Sequence, residues 1–104
     1  MDEPERSVTL TIPNEPRTLI GADLGRQTRE SLRLDEIDQS AIHALVRIGT
    51  PVVTVSFVRG LIEPSVRALG YDEFLRKYEF EATPSVKTIV QSAARLAAAE
   101  KTAA

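Results

Sequence analysis

The segment PVVTVSFVRGLIEPSVRALG, residues 51–70, decides the fold class of this chain. It opens with β-branched residues that run almost without a break, which is typical of a buried strand. It closes with EPSVRALG, which is predicted to form a short helix ended by Gly70. A strand that gives way directly to a helix favours an α/β domain, and it places Ser56 and Ser65 close to the junction.

The N-terminal segments are predicted to add strands and a helix. SVTLTI, residues 7–12, alternates apolar with hydroxyl side chains, and this period of two indicates a strand with one buried face. Residues 18–20 are a candidate for a short second strand. The segment GRQTRESLRL contains good helix formers with a thin apolar stripe, and it is predicted to form a partly exposed helix.

A longer helix is predicted from LDEIDQSAIHALVRIG, residues 34–49. Asp35 is expected to cap its start, and Glu36 and Asp38 suit the positive end of the helix dipole. Gly49, followed two residues later by a proline, is expected to end it. The apolar residues that recur at helical spacing are Ile37, Ala41, Leu45 and Ile48.

The C-terminal third is predicted to alternate helix and strand again. YDEFLRKY indicates a short helix, YEFEA a short strand, and residues 84–98 a terminal helix that Thr83 caps and Pro84 opens. We therefore predict a single α/β domain over residues 1–104, frayed at residues 1–7 and 99–104. Its small mixed sheet is expected to carry helices mainly on one face.

Composition narrows the classes of function. The chain has 104 residues, 42% hydrophobic and 27% charged, which is typical of one globular domain. The absence of cysteine excludes disulfides, thiolate metal sites and a cysteine nucleophile. No secretory leader and no apolar run long enough to span a membrane is visible, so we expect a cytoplasmic protein. The net charge of −2, with acids and bases interspersed, does not favour nucleic acid as a partner.

Residues that could support catalysis or hold a cofactor are few. His43 is the only histidine, and no second histidine is available to share a metal ion with it. GADLG lacks the glycine spacing of nucleotide-binding loops. Asp35, Glu36 and Asp38 are better explained as first-turn acids of a helix than as a cation site. The sequence therefore predicts no metal, no cofactor and no catalytic site, and a protein that is not an enzyme.

Basic residues of the second half support an alternative function. Arg59, Arg67, Arg76 and Lys77 are interspersed with acids, which is typical of a solvated charged face. If they formed a stripe on one face, the chain could be a small acidic regulator that acts on nucleic acid or on a nucleic-acid-binding protein. Such binding would weaken steeply with salt.

The serines at the junction leave three interpretations open. Serine is among the best N-caps, which is the structural interpretation. A phosphate on a serine at a helix N-terminus would be held by free N–H groups and by the dipole, which is the regulatory interpretation. A serine nucleophile needs a base, and only His43 could serve Ser56 or Ser65 in a hydrolase.

Four segments, TRESLRLDEID, GTPVVTVSFV, LGYDEFLRKYEFE and TPSVKTIVQSA, resemble the STAS-like domain family of unknown function, found in bacteria and phages. In that family an Arg-Glu-x-Leu pattern precedes a long helix, and an apolar strand is followed by a Ser-Phe pair that opens the next helix. The resemblance spans residues 25–93 and assigns that opening to Ser56 and Phe57. Family members usually have several more residues between the strand and the Ser-Phe pair. The helix after the Ser-Phe pair is continuous in the family, whereas Pro64 is expected to interrupt it here. Ser65 is therefore an alternative to Ser56 as the serine that opens a helix.

A second register is similar to the anti-sigma-factor antagonists of the wider STAS superfamily. There IDQSAIHALVR, residues 37–47, matches a helix opening whose serine is phosphorylated by a partner kinase, and Ser40 takes that place. Both registers imply an α/β sandwich that acts as a non-catalytic regulatory module and recognises a protein partner, such as a regulatory ATPase or kinase. The candidate partner-binding or phosphoacceptor residues are Ser56, Phe57, Ser65 and Ser40.

Overall fold

Strands and helices alternate along the chain in a computed structural model, which describes residues 7–12, 18–50 and 52–103. This alternation confirms the predicted α/β class. The elements of the described residues are β1 (Ser7–Ile12), β2 (Thr18–Leu19), α1 (Ala22–Leu32), α2 (Leu34–Asp38), β3 (His43–Ile48), β4 (Val52–Val53), α3 (Val55–Leu69), α4 (Tyr71–Lys77), β5 (Tyr78–Glu81) and α5 (Pro84–Ala103).

The main sheet has three parallel strands in the order β1-β3-β5. Val8 of β1 lies opposite Ala44 of β3. β2 and β4 form a separate parallel pair in which Leu19 lies opposite Val53. All pairings between the described strands are parallel, where a mixed sheet was predicted. Parallel neighbours need crossover connections, and α1 with α2 supplies the first of these while α3 with α4 supplies the second.

Side chains alternate along β3 between a buried and an open face of the sheet. Ala44, Val46 and Ile48 are buried, whereas Arg47 between them is exposed. The buried side chains belong to one core cluster with those of α3, α4 and α5. The helices therefore cover mainly one face, as predicted. Exposed side chains of the strand positions on the opposite face are Ser7, Thr9, Thr11, Glu79 and Glu81.

Two glycines bring the backbones of α1 and α3 into direct contact. A Cβ atom at Gly25 of α1 would lie 2.1 Å from the carbonyl oxygen of Phe57. A Cβ atom at Gly60 of α3 would lie 2.3 Å from the carbonyl oxygen of Ala22. Because both obstacles are backbone atoms, only glycine fits at these two positions. The contact fixes the first turns of α3 beside the start of α1.

The helix predicted over residues 34–49 is wrong. α2 ends at Asp38, and β3 begins at His43. The segment from Ala44 to Ile48 has apolar residues at every second position, and this period also fits a strand. β3 is the central strand, with hydrogen-bonding partners on both sides, so tertiary pairing favours the strand over the helix.

Ser40 makes the turn that separates α2 from β3. Its Oγ donates a hydrogen bond to the carbonyl of Ile37 at 2.8 Å and accepts one from the N–H of Ile42 at 3.1 Å. The second register of the resemblance needs a helix opening over residues 37–47. The chain forms a turn and β3 there, so the predicted helix opening at Ser40 is wrong.

The strand predicted from PVVTVSFV is confirmed only at Val52–Val53. α3 begins at Val55, immediately after its cap, and continues without interruption to Leu69 with Pro64 inside it. The predicted helix in EPSVRALG is therefore part of a longer one. Ser65 lies in the body of α3, so its predicted place at a helix start is wrong.

The remaining predicted elements are confirmed. SVTLTI forms β1, the short second strand forms β2, and GRQTRESLRL lies mostly in α1. YDEFLRKY supplies α4, YEFEA supplies β5, and the terminal helix is α5. Of the ends predicted to fray, Ser7 lies in β1 and residues 99–103 lie in α5, while residues 1–6 and 104 lie outside the described residues.

Candidate functional site at the start of helix α3

Thr54 organises the junction between β4 and α3. Its Oγ1 accepts hydrogen bonds from the backbone N–H of Phe57 at 3.2 Å and of Gly21 at 3.1 Å. One side chain thus caps α3 and fastens the start of α1 to it. The hydroxyl of Ser56 lies 3.1 Å from the same oxygen. The cap predicted among the serines is therefore supplied by Thr54, and Ser56 stands beside it in the first turn.

Three exposed apolar side chains surround this junction. Leu19 and Val53 of the β2–β4 pair are buried, and residues alternate sides along a strand, so Val52 lies on the outer side of the pair, while Ile20 directly follows β2 and precedes Gly21. They are 58% and 48% exposed, and Val55 in the first turn of α3 is 41% exposed. Together with Ser56, these residues form a surface that we call the junction surface: Ile20, Val52, Val55 and Ser56.

A groove of about 400 Å³ adjoins the junction surface between α1 and α3. Ser56 lines it, together with Gly60, which lies close to the backbone of Ala22. Arg26 and Arg59 contribute cationic side chains to its walls. The residues that line it are Ala22, Arg26, Ser56, Arg59, Gly60, Glu63, Pro64 and Arg67.

Acidic residues compensate the arginines of α3 in this groove. Arg59 contacts Glu63 at 2.9 Å and Glu100 of α5 at 2.5 Å, and Arg67 contacts Glu63 at 2.5 Å. The hydrogen bond to Glu63 raises the pKa of Arg59, with Glu100 adding to the shift. The groove therefore holds a network of alternating charges rather than an uncompensated basic patch.

A buried polar cluster joins α1, α2, α3 and β5 through hydrogen bonds. The guanidinium of Arg29 in α1 donates to the Asp38 carboxylate at 2.6 Å and to the Ser65 hydroxyl at 2.7 Å. Ser65 in turn donates to Asp38 at 2.8 Å, and the Tyr78 hydroxyl of β5 donates to the other carboxylate oxygen at 2.5 Å. We call these residues the buried polar cluster: Arg29, Asp38, Ser65 and Tyr78.

Every side chain of the buried polar cluster has hydrogen-bond partners within the fold, so the cluster stabilises the structure. The side chains of Arg29 and Asp38 are only 6% and 5% exposed, and Arg29 also donates to the carbonyl of Leu61 at 2.9 Å. Ser65 is completely buried, and no kinase could reach its hydroxyl in this fold. The predicted phosphoacceptor role of Ser65 is therefore incompatible with the geometry.

Local sequence patterns do not reveal this cluster. They predict Asp38 as a first-turn acid and Ser65 as a helix cap, and they place Arg29 on a partly exposed helix. The residues of the cluster lie far apart in sequence, with Ser65 36 positions after Arg29, and no local pattern links them. No local signal distinguishes Arg29 from Arg33, the other arginine of the TRESLR segment, as the centre of this cluster.

The buried hydroxyl of Tyr78, which binds Asp38, should make the free energy of unfolding decrease at alkaline pH. Burial raises the pKa of its hydroxyl well above the ordinary value of 10, and the hydrogen bond to Asp38 raises it further. The folded state therefore keeps a proton that the unfolded state loses, so this contribution is complete below about pH 10 and declines above it, by up to about 1.4 kcal/mol per pH unit. We expect Tyr78→Phe to be less stable than the wild type at pH 8 and to lose this alkaline slope. Urea unfolding at pH 8 to 11 measures both.

The matched control for this measurement is Tyr71→Phe. Tyr71 is half-buried and lies on α4 outside the buried polar cluster. Its variant should retain the alkaline slope of the wild type. An identical slope in Tyr78→Phe and in the wild type would show that the Tyr78 proton does not contribute to stability.

His43 lies away from both serines considered for catalysis. It lines a small depression with Arg76 and Glu79, and its Nδ1 is 3.0 Å from the carbonyl oxygen of Arg76. Ser56 lines the groove between α1 and α3 instead, and the hydroxyl of Ser65 is bound to Arg29 and Asp38. The geometry of the described residues therefore gives no support to a serine–histidine pair.

The other charged candidates are also engaged in structural contacts. Asp35 and Asp38 both bind Arg29, and among the described residues no three His, Asp or Glu side chains could hold a metal ion together. Arg76 pairs with Glu73, and Lys77 donates to the carbonyl of Ser40 at 2.5 Å. These two residues line a depression separate from the groove of Arg59 and Arg67, so the four do not form one stripe.

Comparison with known proteins adds no relative to this description: no family model, curated protein or solved structure matches the chain. None of the helices in the described ranges is long and apolar enough to cross a membrane. The candidate site therefore stands on its own geometry, as a junction surface of three apolar side chains and one serine beside a charged groove.

Proposed function

We propose that this protein is a non-catalytic, cytoplasmic interaction module similar to STAS-like domains, and that it binds a protein partner through the junction surface. The observation that carries the proposal is the exposure of Ile20, Val52 and Val55 around a rigidly capped helix start. Apolar side chains grouped on an otherwise charged surface are a common feature of protein-binding sites. The hydrogen bonds from Gly21 and Phe57 to Thr54 fix the backbone beneath this surface, which lowers the entropic cost of binding.

The first register of the STAS-like resemblance fits the topology only at the start of α3. Its apolar strand is reduced to Val52–Val53, and the long helix expected after its Arg-Glu-x-Leu pattern is replaced by α2 and β3. Ser56 and Phe57 occupy the first turn of α3, as that register expects, and α3 is continuous despite Pro64. Phe57 is fully buried, so its predicted contact with a partner is wrong, and the exposed Ser56 is the residue of the pair that faces the partner in this proposal.

Phosphorylation of Ser56 is the switch that fits this surface. Ser56 is exposed and lies two residues after the cap of α3, where the helix dipole and first-turn N–H groups favour a phosphate. Arg26 and Arg59 line the adjoining groove, but both already pair with acids, so the negative charge of a phosphate at Ser56 would stay largely uncompensated. A dianion in the middle of the junction surface would oppose the docking of an apolar partner surface. The partner is a protein of the regulatory ATPase or kinase class.

Binding should respond to a charge at Ser56 and to the loss of apolar surface beside it. Ser56→Glu is expected to weaken binding of the partner about tenfold, since an unpaired charge at an interface costs about 1–3 kcal/mol, and Ser56→Ala should leave it unchanged. Ile20→Ser should weaken binding as well. Immobilised variants are compared by quantitative recovery of the partner from a cell extract, followed by titration with the purified partner.

Matched controls lie on α5, outside the junction surface. Ser92→Glu adds the same charge at an exposed serine, and Leu96→Ser removes an apolar side chain that is 47% exposed, close to the 58% of Ile20. Both should bind the partner as the wild type does. Equal loss in the controls, or no loss in Ser56→Glu and Ile20→Ser, would remove the junction surface as the binding site.

A further inference from the structure

β1 forms an edge of the main sheet. Its sole strand partner among the described residues is β3, so half of its backbone N–H and C=O groups face away from the sheet. β1 has six residues, which is as long as β3 and longer than β5. Val8 and Leu10 on its core side are only partly buried, whereas Ile12 at its end is 2% exposed. The edge is therefore regular and incompletely covered around its centre.

The side chains of β1 lack the features that usually prevent strand addition. Edge strands are normally protected by charged residues, proline, bulges or shortness. SVTLTI contains no charge and no proline, and its ladder with β3 runs in register over all six residues. The opposite edge differs, because β5 has four residues and two of them are the exposed Glu79 and Glu81. Within the described ranges, the β1 edge of this sheet is therefore open to pairing, whereas the β5 edge is protected by charged side chains.

We infer that the β1 edge is an interface with a second copy of this chain. β1 is nearly symmetric about Thr9, with a hydroxyl residue two positions away on each side and an apolar residue one position away on each side. A two-fold axis perpendicular to the sheet would run the two β1 strands antiparallel, with Thr9 opposite Thr9. Val8 would then lie opposite Leu10 of the second copy, and Ser7 opposite Thr11. Every apolar residue meets an apolar residue, and every hydroxyl meets a hydroxyl.

The centre at Thr9 follows from burial along the strand. This register places the half-buried Val8 and Leu10 at the heart of the interface, where pairing would complete their cover. Ile12 lies outside this pairing, and it is already buried in the single chain. No charge is brought opposite a like charge, because β1 is neutral throughout. An unrelated extended peptide would need a partner sequence with the same alternation, which the chain's own β1 already provides.

The resulting assembly closes on itself. Its continuous sheet would have the order β5-β3-β1-β1-β3-β5, with the short, glutamate-bearing β5 at both outer edges. Because both open edges are consumed in the isologous contact, growth stops at the dimer. The junction surface and the groove between α1 and α3 lie outside this contact, so dimer formation and partner binding can be tested separately.

Sedimentation equilibrium of the full chain tests the inference directly. We expect the fraction of a species of twice the 11.4 kDa chain mass to increase between about 1 and 500 µM protein. Micromolar dissociation constants are typical of a modest interface. Thr9→Lys, which puts like charges opposite each other across the axis, should weaken dimerisation about threefold to fivefold. Gln91→Lys on α5 is the matched control and should dimerise like the wild type. A wild type that sediments as a monomer over this range would overturn the inference.

The absence of cysteine from the chain permits a geometric test of the register. Directly opposed residues of paired strands have Cβ atoms about 4.5–5.5 Å apart, within reach of a disulfide after slight adjustment. Thr9→Cys should therefore form a covalent dimer under mild oxidation much faster than Glu79→Cys on the opposite edge. Equal rates for the two variants would overturn the contact at Thr9. The same result is expected if β1 binds a peptide from another protein instead of a second copy.

Discussion

Replacing Asp38 with alanine is expected to remove about 3–5 kcal/mol from the free energy of unfolding, which is the cost of removing one partner from a buried ion pair. Asp38 accepts hydrogen bonds from Arg29, Ser65 and Tyr78, and its side chain is 5% exposed. A domain of this size is stable by about 5–15 kcal/mol, so the variant could lose most of its folded population. Urea unfolding followed by circular dichroism measures the change.

Asp35→Ala is the matched control for this prediction. Asp35 contacts the same Arg29 nitrogen at the same distance of 2.6 Å, but its side chain is 75% exposed. Solvent screens the pair, so the variant should cost no more than about 1 kcal/mol. If Asp38→Ala does not fold, the milder Asp38→Asn gives the comparison. Equal losses at the two aspartates would show that burial does not set the strength of these contacts.

Replacing Gly25 with alanine is expected to cost about 3 kcal/mol, although alanine is the better helix former. Propensity alone would stabilise α1 by about 1 kcal/mol. The added methyl group would lie 2.1 Å from the carbonyl oxygen of Phe57, and relieving that overlap requires α1 to move away from α3. Both helices contribute to the core, so the movement would disturb its packing. The steric cost therefore exceeds the gain in propensity.

Ser31→Ala provides the control on the same helix. Ser31 is exposed on α1, so its replacement changes helix propensity without creating a contact. It should raise stability by a few tenths of a kcal/mol, whereas Gly25→Ala should lower it. Thermal unfolding of the two variants decides the sign. A stabilised Gly25→Ala would show that α1 and α3 do not pack as closely as described.

Most of the elements outside residues 34–55 were predictable from local pattern. β1 alternates apolar and hydroxyl residues over its full length, and α5 begins with a threonine cap followed by proline. Such signals act within a few residues, so they survive in any tertiary context. The absence of cysteine and the single histidine likewise restrict the chemistry through composition alone. The place of Ser56 at the start of a helix came only from the STAS-like resemblance, because the local pattern put it in a strand.

Tertiary structure decided the rest, because the deciding contacts join distant residues. The segment Ala44 to Ile48 fits a helix and a strand equally well by its apolar spacing, and hydrogen bonds to β1 and β5 select the strand. Serine is a common N-cap, so Ser65 was predicted to open a helix. α3 instead starts ten residues earlier, where Thr54 provides the capping oxygen. The Ser65 hydroxyl binds Arg29 and Asp38 in the interior. Buried polar groups must find partners wherever the fold places them, so their roles cannot be assigned from neighbouring sequence alone.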